Sequence, residues 1–260
     1  MNLLHMMSLP VDLRALRRLA ASRGYAADEG RALHHFLCEV FGKSIAQPFR
    51  LMVAPRQSGA SLYAYTLIDE ASLKQNAETA APELETALGL SRLAVKTMPA
   101  QWTQGRRLAF DVRVRPVRRL IKPMQAWSRN VGRQQARGEA TPPPFKKGAE
   151  VDAFIISRQR QFPDGLPEEA DGFSRERVYI DWLEERLAGG ALLDRNCTHL
   201  AHFARSKIER REIQEGPDAT LHGELTITNS EAFAKRLAGG IGRHKAYGYG
   251  MLLLRPAQGK

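Results

Sequence analysis

Cysteine is almost missing from this chain: Cys38 and Cys197 are the only two among 260 residues. Two solitary thiols exclude both a disulfide framework and a zinc cluster as the source of the fold. Long apolar runs are missing too, and none approaches the roughly 20 residues that a membrane-spanning helix needs. The first residues lack the charged, apolar and small-residue succession of a signal peptide. A soluble, reduced, cytoplasmic protein without a membrane partner is expected. Carboxylates and histidines do not cluster. Asp69, Glu70 and Glu83 are scattered, with no spacing that would converge on a pair of ions, so neither a metal nor another cofactor is expected.

Negative charge is short overall, with 28 Asp and Glu against 39 Lys and Arg, a net charge of +11 and a pI near 10.0. Such an excess favours an acidic polymer as partner, RNA or DNA. It is also concentrated. Twelve basic residues between Arg113 and Arg160 face only Glu139, Glu150 and Asp152, so this one segment holds nine of the eleven net positive charges. A charge run is usually a solvated face, but this concentration points to phosphate contact. A second basic stretch, Ala204 to Arg211, reads as an exposed strand or hairpin.

Taken in order, Met1 to Leu9 reads as a strand, and Pro10 and Asp12 open a helix. Asp28 caps the next helix, where Leu33, Phe36, Leu37, Val40 and Phe41 recur at the spacing of a core-facing stripe until Gly42 ends it. His34 falls on the flank of that stripe with Arg31 one turn earlier, and His35 falls on the far side. On residues alone, His34 is either a boundary histidine or a catalytic one. Phe49 to Val53 and Ser61 to Leu67 read as paired strands, Pro82 to Gly89 as a short helix, and Leu90 to Met98 as a closing strand. That succession is a ferredoxin-like unit.

A second unit begins with the strict alternation of Arg107 to Pro116. The basic insertion follows: Val117 to Gly138 reads as an arginine-rich helix and the last part as a short hairpin, broken by Pro142-Pro143-Pro144. Part of it is expected to order only on RNA. Ser174 to Leu187 reads as a helix, His222 to Thr228 as a strand, and Asn229 to Leu237 as a capped helix. The fold class expected is α+β: tandem ferredoxin-like (RRM/RAMP-like) domains over 1–100 and 101–260, with a basic, partly helical insertion at about 117–173. No sequence repeat marks the two units.

Five glycines crowd residues 239–250, between that helix and the apolar run Met251 to Leu254. Glycines permit positive φ and close ligand approach, and Arg243 and Lys245 add positive charge. The loop reads as an anion or nucleic-acid site or as a structural crossover. It is not the dinucleotide fingerprint, in which a strand precedes the glycines and a helix follows. Tyr247 and Tyr249 could stack on bases, although strand alternation puts one of them in the core.

The run Gly240-Ile241-Gly242-Arg243-His244-Lys245-Ala246-Tyr247-Gly248-Tyr249-Gly250 with Met251 to Pro256 resembles the glycine-rich signature of CRISPR repeat-RNA endoribonucleases. Gly223 to Ile227, Tyr179 to Leu183, and Leu33-His34-His35-Phe36-Leu37 before Phe41 resemble the same family, nearest its CasE branch in type I-E Cascade. The long basic insertion is unusual for CasE and is closer to a divergent member such as the type IV processing nuclease. The resemblance implies a CRISPR repeat stem-loop as substrate, metal-independent cleavage by the 2′-hydroxyl, retention of the product, and other subunits of an effector complex as partners. It makes His34 the general base; Arg31, at the place of a tyrosine in CasE-type sites, would stabilise charge, and Arg23, Arg243 or Lys245 would carry more of the rate if His34 is buried or distant from the scissile phosphate. RNA contacts are expected on charge from Arg119, Arg129, Arg133 and Arg137 of the insertion and from Arg205, Lys207, Arg210 and Arg211 of the second basic stretch, and from Gly242, Arg243, His244 and Lys245 of the glycine-rich loop. The competing expectations are a non-catalytic RNA-binding subunit and, more remotely, a duplex-DNA binder.

Overall fold

A computed structural model describes residues 3–53, 59–124, 145–163, 172–209 and 213–257. The first half runs β1 (His5–Asp12), α1 (Leu13–Ser22), α2 (Glu29–Phe41), β2 (Phe49–Val53), β3 (Gly59–Thr66), α3 (Glu70–Glu78), α4 (Pro82–Leu88) and β4 (Ala94–Thr97). Its antiparallel sheet has the order β2-β3-β1-β4, the ferredoxin-like arrangement. Asp12 stops β1 and starts α1 by accepting hydrogen bonds from Arg14 N at 2.8 Å and Ala15 N at 2.9 Å. Pro10, expected to open the helix, lies within the strand. The α2 stripe behaves as its spacing predicts, with all five apolar residues buried.

The second half contains β5 (Arg107–Val114), the short strands β6 (Val117–Arg119) and β7 (Glu150–Asp152), α5 (Ala153–Gln161) and α6 (Arg175–Leu187). It continues with β8 (Ala191–Glu209), β9 (Ile213–Ile227), α7 (Ser230–Gly239) and β10 (Leu252–Pro256). Its main sheet, β10-β5-β9-β8, repeats the first topology. Three expectations change, the first being that Ala153 to Gln161, within the part of the insertion expected as a short hairpin, forms α5. Val117 to Arg119, expected to begin a helix, pairs as a strand with Glu150 to Asp152, which satisfies its backbone and leaves a two-stranded sheet at the root of the insertion. Leu90 to Arg92, expected as strand, forms a 3₁₀ turn ahead of β4. Residues 125–144, which carry the rest of the expected helix and the segment expected to order on RNA, lie outside the described residues.

Each half has its own core, one under α1 to α4 and one under α6 and α7. The halves are tied together through the opposite sheet faces. Tyr65 of β3 is buried in the second core and its hydroxyl donates to the Leu252 carbonyl at 2.9 Å. Arg50 of β2 meets Asp111 of β5 at 3.4 Å, both buried. Among the described residues no helix is long and apolar enough to cross a membrane.

Candidate active site

Helix α2 carries His34 to the seam between the halves. Asp28 caps the helix by accepting from Arg31 N at 2.9 Å. The same turn is met directly by the glycine-rich loop, because a Cβ on Gly30 would lie 2.6 Å from the Tyr247 carbonyl oxygen. The half-buried His34 ring lies 5.4 Å from the Tyr247 ring, tilted by 34°, and its Nδ1 lies 3.6 Å from Cys38 Sγ. A small cavity beside it is lined by His34, Cys38, Ser44, Gln47, Phe49 and Ala246. His35 points to solvent and stacks on Tyr25 at 4.6 Å, while the Arg31 guanidinium sits 5.2 Å above the same Tyr25 ring. The helical flank therefore gathers a histidine pair, an arginine and two tyrosines from three segments.

The loop is built more tightly than its glycines suggest. Gly242 has φ +77°, and a Cβ there would lie 2.7 Å from Cη2 of Trp182, whose indole is fixed by donating to the Val117 carbonyl at 3.2 Å. That glycine is required for packing against α6. His244, expected to face RNA, is instead 5% exposed. Its Nε2 lies 2.6 Å from Glu150 Oε2. Arg243 Nε meets the other oxygen of Glu150, also at 2.6 Å, so β7 clamps the loop. The bond to His244 first, then the His244 and Arg243 charges, hold the Glu150 carboxyl down at about 2 despite burial. Lys245 stays at the surface and donates to the Gly239 carbonyl at 2.5 Å. Tyr249 is the core member of the tyrosine pair, and Tyr247 faces the seam.

Arg23 is placed elsewhere. Its guanidinium contacts Glu39 at 2.5 Å and Glu83 at 3.1 Å, and lies 5.4 Å from the Phe36 ring, pinning the end of α1 to α2 and α4. The Glu39 bond leads the causes that raise its pKa. The sequence-expected trio is thus divided: His34 and Arg31 share a flank, whereas Arg23 is engaged by two acids.

Of the expected RNA-facing residues, Arg119, Arg205 and Lys207 are exposed, with Arg205 paired to Glu215 at 2.6 Å. Arg129, Arg133, Arg137, Arg210 and Arg211 lie outside the described residues. Beside Arg119 a cleft of about 700 Å³ is lined by Arg118, Lys122, Arg160 and Arg186. The expected basic hairpin is the distal part of β8 and β9, where Arg205 pairs in register with Pro217 and Lys207 with Glu215.

Sequence reasoning missed a charged network on the outer face of the second sheet. Arg113 forms two bonds to Asp218, at 2.8 and 2.5 Å, and lies 4.6 Å from the Tyr249 ring. The Tyr249 hydroxyl donates to Asp218 at 3.0 Å. Burial opposes the charge on Arg113, but the Asp218 pair outweighs it and raises its pKa. Asp111 also meets His222 Nε2 at 2.9 Å. The alternation of Asp111, Arg113 and Arg115 with Phe110, Val112 and Val114 was the available signal. One convergence of possible metal ligands exists among the described residues, Asp194, Cys197 and Glu224. Arg107 already bridges its two carboxylates at 3.1 and 2.7 Å.

A family model described as CRISPR associated protein matches residues 4–256. No curated protein sequence matches the chain. Among solved structures, Thermus Thermophilus Cse3 bound to an RNA representing a pre-cleavage complex is similar over 98% of this chain and 100% of its own, with 18% identity and a TM-score of 0.61. Cas6e from Escherichia coli str. K-12 is similar over 96% and 99%, with 18% identity and a TM-score of 0.52. A chain of a CRISPR RNA-guided surveillance complex is similar over 96% and 98%, with 16% identity and a TM-score of 0.51. At these identities the likeness is one of fold, and it spans both halves. Because the family model covers nearly the whole sequence, the chain belongs to the CRISPR-associated protein family.

Proposed function

We propose that this protein is a metal-independent endoribonuclease that cuts CRISPR precursor RNA at the repeat stem-loop and stays on its product. The observation that carries the reading is the position of His34, at the seam of the two halves and 5.4 Å from Tyr247 of the basic glycine-rich loop. The fold-sharing Cse3 is an endoribonuclease captured with RNA, and another fold-sharing chain belongs to a surveillance complex, which supports an RNA substrate and an effector-complex setting.

In the proposed reaction the 2′-oxygen attacks the adjacent phosphorus in line. His34 takes the 2′-hydroxyl proton, the P–O5′ bond breaks, and the 5′-oxygen leaves as a hydroxyl with a proton from the imidazolium or from solvent. The products are a 2′,3′-cyclic phosphate and a 5′-hydroxyl. Arg31 and Lys245 are the cations assigned to the transition-state charge, since a guanidinium and an ammonium stabilise anionic oxygens. Arg23, neutralised by Glu39 and Glu83, is assigned to holding α2 in place. Arg119, Arg205 and Lys207 are assigned to the stem backbone, with Arg129, Arg133, Arg137, Arg210 and Arg211 proposed to extend that surface.

The half-burial of His34 and its contact with Cys38 favour a second reading, an RNA-binding subunit without catalysis. Incubation of the protein with labelled repeat RNA separates the two. The endoribonuclease yields a shorter product in the presence of EDTA, and His34→Ala lowers its cleavage rate by roughly 10²-fold or more with affinity retained. An uncut RNA supports the binding subunit, and an unchanged rate in His34→Ala removes His34 from the chemistry.

A further inference from the structure

We propose that a second cleft at the seam, next to the His34 cavity, holds one unpaired nucleotide of the RNA where the single strand leaves the stem. This deepens the proposed function and rests on it for the identity of the polymer. The cleft has a volume of about 330 Å³. Ligand sites begin at about 300 Å³, so it suits one nucleotide and excludes a duplex.

Its walls have the mixed chemistry a base requires. Pro48, Leu67 and Ile68 supply an apolar surface, and Leu67 is 52% exposed, an apolar face left open to water at the rim of a concavity. Ser44 and Gln47 add polar groups to the same lining. A carboxamide carries both donors and an acceptor, which matches the edge of a nucleobase. Ser44 has φ +64°, a left-handed conformation that side chains other than glycine avoid and that collects at ligand sites. Lys245 lines the same cleft, with its ammonium on the Gly239 carbonyl. Exchanging that carbonyl for a phosphate oxygen keeps the ammonium in a charge-assisted bond.

Position assigns the occupant. Ser44 and Gln47 line both this cleft and the His34 cavity. The 3₁₀ turn Lys245–Tyr247 also borders both, with Lys245 on the cleft, Ala246 on the cavity and Tyr247 against the His34 ring. A strand whose backbone passes His34 reaches the cleft with the neighbouring nucleotide.

Three hairpin RNAs test this: one blunt, one with a short single strand on the 5′ side and one with it on the 3′ side. Each has 2′-deoxyribose at the junction and through the flank, so that cleavage at these positions cannot intervene. Fluorescence anisotropy gives Kd for the wild type, Leu67→Glu and Gln47→Ala. One flanked hairpin should bind the wild type about tenfold tighter than the blunt one. Leu67→Glu should erase that gain and leave blunt-hairpin binding unchanged, as should an abasic residue at one flank position, and Gln47→Ala should reduce it. No gain in the wild type, or equal losses on blunt and flanked RNA, overturns the nucleotide site. Failure of the wild type to cut all-ribose repeat RNA would instead sink the endoribonuclease and leave this binding result standing.

Discussion

The two ferredoxin-like halves share a strand order and differ in the sheet face turned away from their helices. In the first, Met6 and Ser8 of β1 lie beside Tyr65 and Tyr63 of β3, a mostly uncharged surface with Arg50 next to it. In the second, the equivalent face carries Asp111 and Arg113 beside His222 and Thr220, with Asp218 one step further. Both halves obtain their fold from the inner positions, Met7, Leu9 and Val11 in one and Phe110, Val112 and Val114 in the other. The outer positions were free to diverge. One half offers a helix flank with a histidine pair, and the other offers charge, a long hairpin and the loop that meets that helix.

The largest expected effect comes from the point where the two faces touch. Removing one partner of a buried ion pair leaves the other charge uncompensated, at a cost of about 3 kcal/mol or more. Asp111 bonds both Arg50 across the seam and His222 within the second half. Burial already lowers the Arg50 pKa, so its charge is poorly placed without a carboxylate. Asp111→Ala should therefore lower the urea midpoint by far more than any exposed pair. A change below about 1 kcal/mol would mean that the Asp111–Arg50 pair contributes little to holding the halves together.

Next come the glycines of the loop, which separate packing from conformational permissiveness. Gly242 combines a positive φ with a near-collision on the buried Trp182 ring, whereas Gly239 has open space where a Cβ would go. Gly242→Ala is expected to cost about 2–3 kcal/mol, and Gly239→Ala less than about 0.5 kcal/mol. Thermal or urea melts of the two variants check this, and equal effects would return Gly242 to the role of a ligand-facing glycine.

The fold was legible because its inner positions announce themselves. The α2 stripe, the β5 alternation and the caps at Asp28 and Asn229 are local signals, and all lie where the sequence places them. Helix α3 was not, because it buries only Leu73 and has no stripe to read. Val117 to Arg119 misled because arginines suit a helix, while its pairing with Glu150 to Asp152 spans about thirty residues of chain. His34 and Arg31 could be placed on one flank from helical geometry alone. Tyr247 and Glu150 could not be added, since each reaches its partner from a distant segment, and Tyr25 folds back on α2 from the preceding turn, which no periodicity marks. His244 looked like an RNA contact because a basic residue in a glycine loop reads as exposed, and only the tertiary fold supplies Glu150 to bury it.

Glu150 gives a third, pH-resolved effect. Its folded pKa of about 2 lies below the ordinary 4.5, so the stabilisation is complete above about 4.5 and is lost as pH falls toward 2. Folded stability of the wild type, followed by denaturant melts across that window, should fall more steeply than that of Glu150→Gln. Parallel curves would show that the β7 clamp on the loop contributes no carboxylate-dependent stability.

The smallest effect belongs to the first half's own charge cluster, and it sharpens the contrast with Asp111. Arg23 touches Glu39 and Glu83 at the surface, where water screens the pair and two long side chains must be ordered to make it. Glu39→Gln and Glu83→Gln should each shift stability by no more than about 1 kcal/mol, and high salt should shrink even that. If their double variant instead destabilised the protein as much as Asp111→Ala, Arg23 would be a structural anchor of the same rank as Arg50. If the same double variant changed RNA cleavage with stability held constant, the freed guanidinium would re-enter the site from which its two acids now withhold it.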